Sequence, residues 1–166
     1  MTLDAVVFYV LAAIAVLSGI QVVVNRSPLY SALSLILTLV SLALIFVQLN
    51  AGFLGVVQIV VYAGAIVVLF VFIIMLLNLT DATSRELVGV PGKALGVLVL
   101  GAIFFAMYSA LRPAVAEQFG PKVEGFGTVQ SVGTVLFQDY VIPFEVTGIL
   151  LLSAILGSIV LARRKP

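Results

Sequence analysis

The sequence predicts an all-α membrane protein with five transmembrane helices, and three observations carry that reading. Only 9% of the 166 residues are charged, whereas soluble domains carry roughly 25%. Hydrophobic residues make up 63% and the mean hydropathy is +1.34. Finally, the apolar residues fall in long unbroken blocks, which suit helical spans and not the short alternating strands of a barrel. Charge-free intervals run over residues 5–25, 27–80, 94–111 and 146–162. A span needs about 20 apolar residues, so the second interval holds two helices and each of the others one.

Taken in order, the first helix is expected near 4–23. The opening Met-Thr-Leu-Asp-Ala-Val carries Asp4 in place of the basic stretch of a signal peptide, so this segment is expected to be retained. The second helix is expected near 29–48. Gln48-Leu-Asn-Ala-Gly52 then interrupts the long interval with two amides and a glycine, a turn signature that separates the second helix from a third near 53–78. Thr80-Asp-Ala-Thr-Ser-Arg-Glu86 forms a short polar loop, and a fourth helix follows near 93–111. Residues 112–140 form an outer loop, marked by Gly120-Pro121 and Gly125-Phe-Gly127. That Gly-Phe-Gly imitates part of a dinucleotide fingerprint, but no strand is predicted before it and no helix N-terminus where the fingerprint requires one. The fifth helix is expected near 141–162, and the whole chain, 1–166, reads as one membrane domain.

Lys and Arg fix the expected orientation. With the N-terminus outside, the inner side receives Arg26, Arg85, Lys93, Arg163, Arg164 and Lys165, and the outer side only Arg112 and Lys122. The N-terminus is therefore expected outside and the C-terminus in the cytoplasm. Arg26, Arg163, Arg164 and Lys165 read as topology anchors against anionic headgroups.

Composition also excludes chemistry. With no Cys and no His, the usual ligands of iron–sulfur clusters, haems and zinc are missing, and no metal site or redox centre is expected on this chain. A net charge of +1 gives no reason to expect nucleic acid. The chain shows no internal repeat and no charge at a predicted bilayer midplane, which argues against a stand-alone transporter.

Two features remain as candidates. In the third helix, Gln58, Tyr62 and Ala65 or Ile66 share a face by helical spacing, with Gly64 beside them. The segment is roughly 39 Å long at the α-helical rise, longer than a hydrocarbon core of about 30 Å, so it must tilt, bend or protrude. A local π-bulge at Gly64 would let one half rotate against the other; an ordinary packing glycine beside a tyrosine is the alternative. The second feature is Glu145 in Ile142-Pro-Phe-Glu-Val, where Pro and then a carboxylate suit a helix N-terminus. It reads either as part of a helix cap or as a carboxylate at the mouth of a proton path. Small residues four apart, Gly92/Gly96, Ser153/Gly157 and Ala154/Ser158, favour close helix packing in lipid.

The run Phe53-Leu-Gly-Val-Val-Gln-Ile-Val-Val-Tyr-Ala-Gly-Ala-Ile-Val-Val-Leu-Phe70, followed by Val-Phe-Ile-Ile-Met-Leu-Leu-Asn78, closely resembles the third helix of the subunit J family of proton-pumping NADH:quinone oxidoreductase, respiratory complex I. Gly133-Thr-Val-Leu-Phe137, Tyr140-Val-Ile-Pro-Phe-Glu145 and Leu150-Leu-Leu-Ser-Ala-Ile-Leu-Gly157 are similar to that family's last helix and the approach to it. The resemblance covers essentially the whole chain; Ser158 departs from the alanine that many members carry. It implies five helices, an outer N-terminus, and a π-bulge at Tyr62, Gly64 and Ala65. Conversion of that bulge to α-helix would rotate Val67, Val68 and Phe70 and gate a water path between the quinone cavity and the antiporter-like subunits. It further implies a multi-pass protein of the bacterial plasma membrane, in contact with lipid and with the membrane-arm subunits that form the quinone site and the lateral proton relay. No cofactor is implied on this chain; NADH, FMN, iron–sulfur clusters and quinone are implied on partners. A purely structural subunit of the same complex, or of a relative using another electron donor, is the other reading.

Overall fold

The computed structural model describes residues 3–77, 98, 101–109 and 125–163. Among the described residues, four helices are long and apolar enough to cross a membrane. They are α1 (Leu3–Val24), α2 (Pro28–Gln48), α3 (Gly52–Leu77) and α5 (Val141–Ala162), with a shorter helix, α4 (Val129–Gln138), before the last. The fourth predicted span lies largely outside the described residues, although residues 98 and 101–109 are helical. Gly92, Gly96 and the loop 80–86 also lie outside them.

Local chemistry sets each boundary. α1 and α2 form an antiparallel hairpin; Asn25 donates its amide to the Gln21 carbonyl at 3.0 Å as α1 ends, and Pro28 opens α2, where its missing N–H removes no helical bond. α2 ends in a Schellman arrangement. The Ala51 amide donates to Phe46 O at 2.9 Å and the Asn50 amide to Val47 O at 3.1 Å. Asn50 takes φ +62°, a left-handed conformation that asparagine tolerates better than most residues. Chain direction thus reverses within three residues, and α3 runs back along α2.

Small and hydroxyl side chains make the seam between α1 and α2. Ala15 and Ser18 of α1 and Ala32, Ser34, Ser41 and Ala43 of α2 are buried, with Ala43 on the side of α2 that meets α3. Thr38 donates its hydroxyl to Ser18 Oγ at 2.8 Å, and Ser18 donates onward to Ile14 O at 2.7 Å. Nearer the hairpin turn, Ser34 Oγ lies 3.5 Å from Gln21 Oε1 and 3.4 Å from Asn25 Nδ2. At the other end, Gln48 donates its side-chain amide to the Asp4 carbonyl, tying the end of α2 to the start of α1. In lipid, where apolar surface gains nothing by leaving water, close backbone approach and such interhelical hydrogen bonds hold helices together, each bond contributing about 0.6 kcal/mol.

The predicted outer loop contains a helix that the sequence reading did not assign. α4 is capped by Thr128, whose hydroxyl accepts from the Ser131 amide at 3.3 Å. A helix N-terminus therefore does follow Gly125-Phe-Gly127, contrary to the expectation from sequence. Both glycines have positive φ, +81° and +73°. Gly127 is buried against the α2–α3 turn, and its carbonyl accepts the Phe53 amide at 3.1 Å, satisfying one of the free donors in the first turn of α3. The start of α1, the α2–α3 turn and α4 accordingly lie at one end of the molecule. Leu77 lies at the far end of α3.

Candidate functional site

Among the sequence candidates, those of the third helix come together. α3 is interrupted: Gly52–Val57 is α-helical, Gln58–Ile66 is π-helical, and Val67–Leu77 is α-helical again. The Val67 amide reaches back to the Tyr62 carbonyl, the i−5 partner that defines a π-turn, as well as to Gly64 O. All three parts of α3 pack along α2.

Before the π-segment, α3 meets α2 tightly at Gly55. A Cβ there would stand 2.7 Å from Val47 Cγ2 and 3.0 Å from the Ala43 carbonyl oxygen, so only glycine permits this spacing. After the π-segment Val67 is the buried residue, 3% exposed. Gly64 is half-buried inside the π-turns, where an added Cβ would meet the Ile59 carbonyl oxygen at 3.2 Å.

Widening of the helix changes which residues share a face. Gln58 is half-buried, but Tyr62 and Ile66 are 49% and 51% exposed. The expected common face of Gln58, Tyr62 and Ile66 is therefore broken, because it assumed α-helical spacing through a segment with wider turns. Ala65, Val68 and Phe70 are exposed, while Val67 is buried. Within one helix, two surfaces are thus offered: a narrow one against α2 and a broad apolar one away from it.

Glu145 lies elsewhere. It is the fifth residue of α5, beyond the first turn, and Tyr140 occupies the cap position without a side-chain hydrogen bond. Every residue of α5 is exposed, Glu145 included. Ser153, Ala154, Gly157 and Ser158 share that exposure, and a Cβ at Gly157 would meet nothing within 4 Å. An edge-to-face pair, Phe137 with Phe144 at 4.9 Å, holds α5 to α4. Arg26 is exposed at the α1–α2 turn and Arg163 follows the end of α5; Arg164 and Lys165 fall outside the described residues.

Among the described residues, two of the clefts lie at opposite ends of the helices. One, of about 530 Å³, lies between the start of α3 and α4, lined by Leu54, Phe126, Val132, Val135, Leu136 and Tyr140 among others. The other, of about 370 Å³, opens at the opposite end of the α1–α2 seam beside Gln21, Asn25, Tyr30 and Ser34. Among the described residues no group of three or more Asp, Glu, His or Cys side chains could hold a metal ion.

Comparison with known proteins places these features in a family. Residues 18–161 match the family described as NADH-ubiquinone/plastoquinone oxidoreductase chain 6. The chain is 33% identical over 169 residues to NADH-quinone oxidoreductase subunit J of Rhodobacter capsulatus, a match covering 99% of this chain and 84% of that protein. It is 34% identical to the subunit J of Pseudomonas aeruginosa, over 95% of each chain. It is also 35% identical to the NAD(P)H-quinone oxidoreductase chain 6 of a Synechocystis species, over 95% of this chain and 79% of that one.

Proposed function

The chain belongs to the NADH-ubiquinone/plastoquinone oxidoreductase chain 6 family, and from that premise we propose that it couples quinone reduction to proton translocation through a rearrangement of α3. As a member it is a multi-pass membrane subunit of NADH-quinone oxidoreductase, complex I, and its partners are other subunits of that complex. The observation that carries the proposal is the π-helical segment Gln58–Ile66. π-helical turns are rare and concentrate at functional sites, and the i−4 pairing of an α-helix lies one residue away. Taking one residue out of the wide turns rotates one flank of α3 against the other by about 100°. Such a rotation would turn Val67 off α2 and re-aim Val68 and Phe70, which opens or closes a water path beside the helix.

In this role the protein holds no redox group. NADH, FMN, the iron–sulfur clusters and quinone sit on partner subunits, and this chain lies beside those forming the quinone cavity and the first lateral proton relay. Its N-terminus faces outward across the bacterial plasma membrane, and Glu145 stands where α5 enters the membrane from that side. An inert scaffold would keep one form of α3 in every state.

The test is electron cryomicroscopy of the intact complex with and without a quinone-site inhibitor, reading the backbone of residues 58–66. A π-helical population and an α-helical one, exchanged by the inhibitor, support coupling. A single form under both conditions makes the chain a scaffold.

A further inference from the structure

We propose that α3 carries two alternative sets of α2-facing residues, and that the second set can face α2 only when the two helices separate. The inference rests on the rearrangement proposed above and deepens it by naming what the rearrangement does to the α2–α3 interface.

Helical phase supports it. At about 100° per residue, position i+11 of an α-helix returns to within about 20° of position i, whereas position i+12 lies about 120° away. Gly55 and Val67 are twelve residues apart, yet both are buried on α2. The π-segment between them absorbs the extra residue and brings them into phase. The rest of the helix follows the shifted register. Ala63 and Ile74 are half-buried, while Tyr62, Ile66 and Ile73, the positions an uninterrupted α-helix from Gly55 would turn inward, are 49%, 51% and 43% exposed.

The two sets differ in bulk. Ala63, Val67 and Ile74 would be replaced, position by position, by Tyr62, Ile66 and Ile73. Two of the three exchanges bring in a larger side chain, and the central one falls where Val67 is already packed to 3% exposure. Interiors packed to this density do not absorb a phenol ring in place of a methyl group without backbone movement. The α-helical form of α3 is therefore the form with the wider α2–α3 gap, and Ile66 is a positioning residue that limits access to it.

Three variants of the intact complex test this, each read by electron cryomicroscopy as the ratio of α-helical to π-helical particles over residues 58–66. Deleting Val61 removes the extra residue, and the expected result is an uninterrupted α-helix with Val67 still against α2 at the present spacing. A retained π-segment, or Ile66 taking the place of Val67, overturns the proposal. Ile66→Ala keeps chain length and is exposed in the present register, so it is expected to assemble normally. It should raise the α-to-π ratio by about fivefold or more by relieving the overpacking. Met75→Ala, at a position directed away from α2 in both registers, is expected to leave the ratio unchanged. An equal ratio in Ile66→Ala and the unsubstituted protein, or a gap no wider in α-form particles, overturns the proposal. Proton pumping of the same preparations reads the coupling role separately, since a scaffold with two registers would change its ratio without changing its pumping.

Discussion

Gly64→Ala is the most informative single substitution for the proposed coupling role, because it changes the backbone alternatives of α3 while adding one methyl group. In the π-helical segment that methyl carbon would lie 3.2 Å from the carbonyl oxygen of Ile59, five residues back. In a regular α-helix a Cβ meets no such crowding, and alanine is the residue that helix favours most, by about 1 kcal/mol over glycine. Relieving the contact by a few tenths of an ångström costs about 1 kcal/mol, the low end of overpacking. The substitution is thus expected to move the balance toward the α-helical form by about fivefold. The assay is proton uptake by inverted membrane vesicles per NADH oxidised through quinone, with NADH oxidation by an artificial acceptor as the control for the flavin end. Artificial-acceptor activity should be unchanged, assembly should be normal, and the protons moved per NADH should fall severalfold. Unaltered pumping by a complex whose π-segment has demonstrably become α-helical would refute the reasoning, because the rearrangement would then be irrelevant to coupling.

Other positions give separate expectations. Gly55→Ala should weaken the α2–α3 contact by about 1–3 kcal/mol, since its Cβ would meet Val47 and the Ala43 carbonyl; less intact complex on native gels is the readout. Gly127→Ala should be more damaging, because the backbone has φ +73° and the new Cβ would be driven into the Asn50 carbonyl and to 2.7 Å from Ala51 Cα. Loss of the 125–140 contact should appear as faster proteolysis at that end. Thr38→Val should be mild, about 0.6 kcal/mol, because Ser18 keeps its bond to Ile14 O; a small fall in the melting temperature of the purified complex would show it. Glu145→Gln should leave assembly intact, as the carboxylate is exposed past the first turn of α5. A drop in pumping with normal assembly would assign Glu145 to a proton path, and normal pumping would remove it from one.

Legibility followed the physics of each feature. Long charge-free runs identify spans because desolvating charge in lipid is expensive whatever the neighbours are, and so α1, α2, α3 and α5 stood out. The turn after Gln48 was readable from Asn50 and Gly52, residues suited to a left-handed cap and a fresh start. α4 was not, because Val129–Gln138 is short and mixes polar with apolar residues; its place depends on Gly127 meeting a turn some 75 residues earlier in the chain. Glu145 looked like part of a cap because Pro143 is near it, but the helix begins earlier, at Val141.

By itself, the sequence determined that this is a helical membrane protein without Cys or His, and it singled out Tyr62 and Gly64 as an anomaly in an otherwise aliphatic helix. Tertiary structure alone decided which way that helix faces. The aliphatic positions of residues 59–74 are chemically alike, so no periodicity distinguishes Ile66 from Val67. Only the contact of Gly55 with α2, followed by a π-helical stretch that shifts the register by one residue, puts Val67 inside and leaves Tyr62 and Ile66 outside.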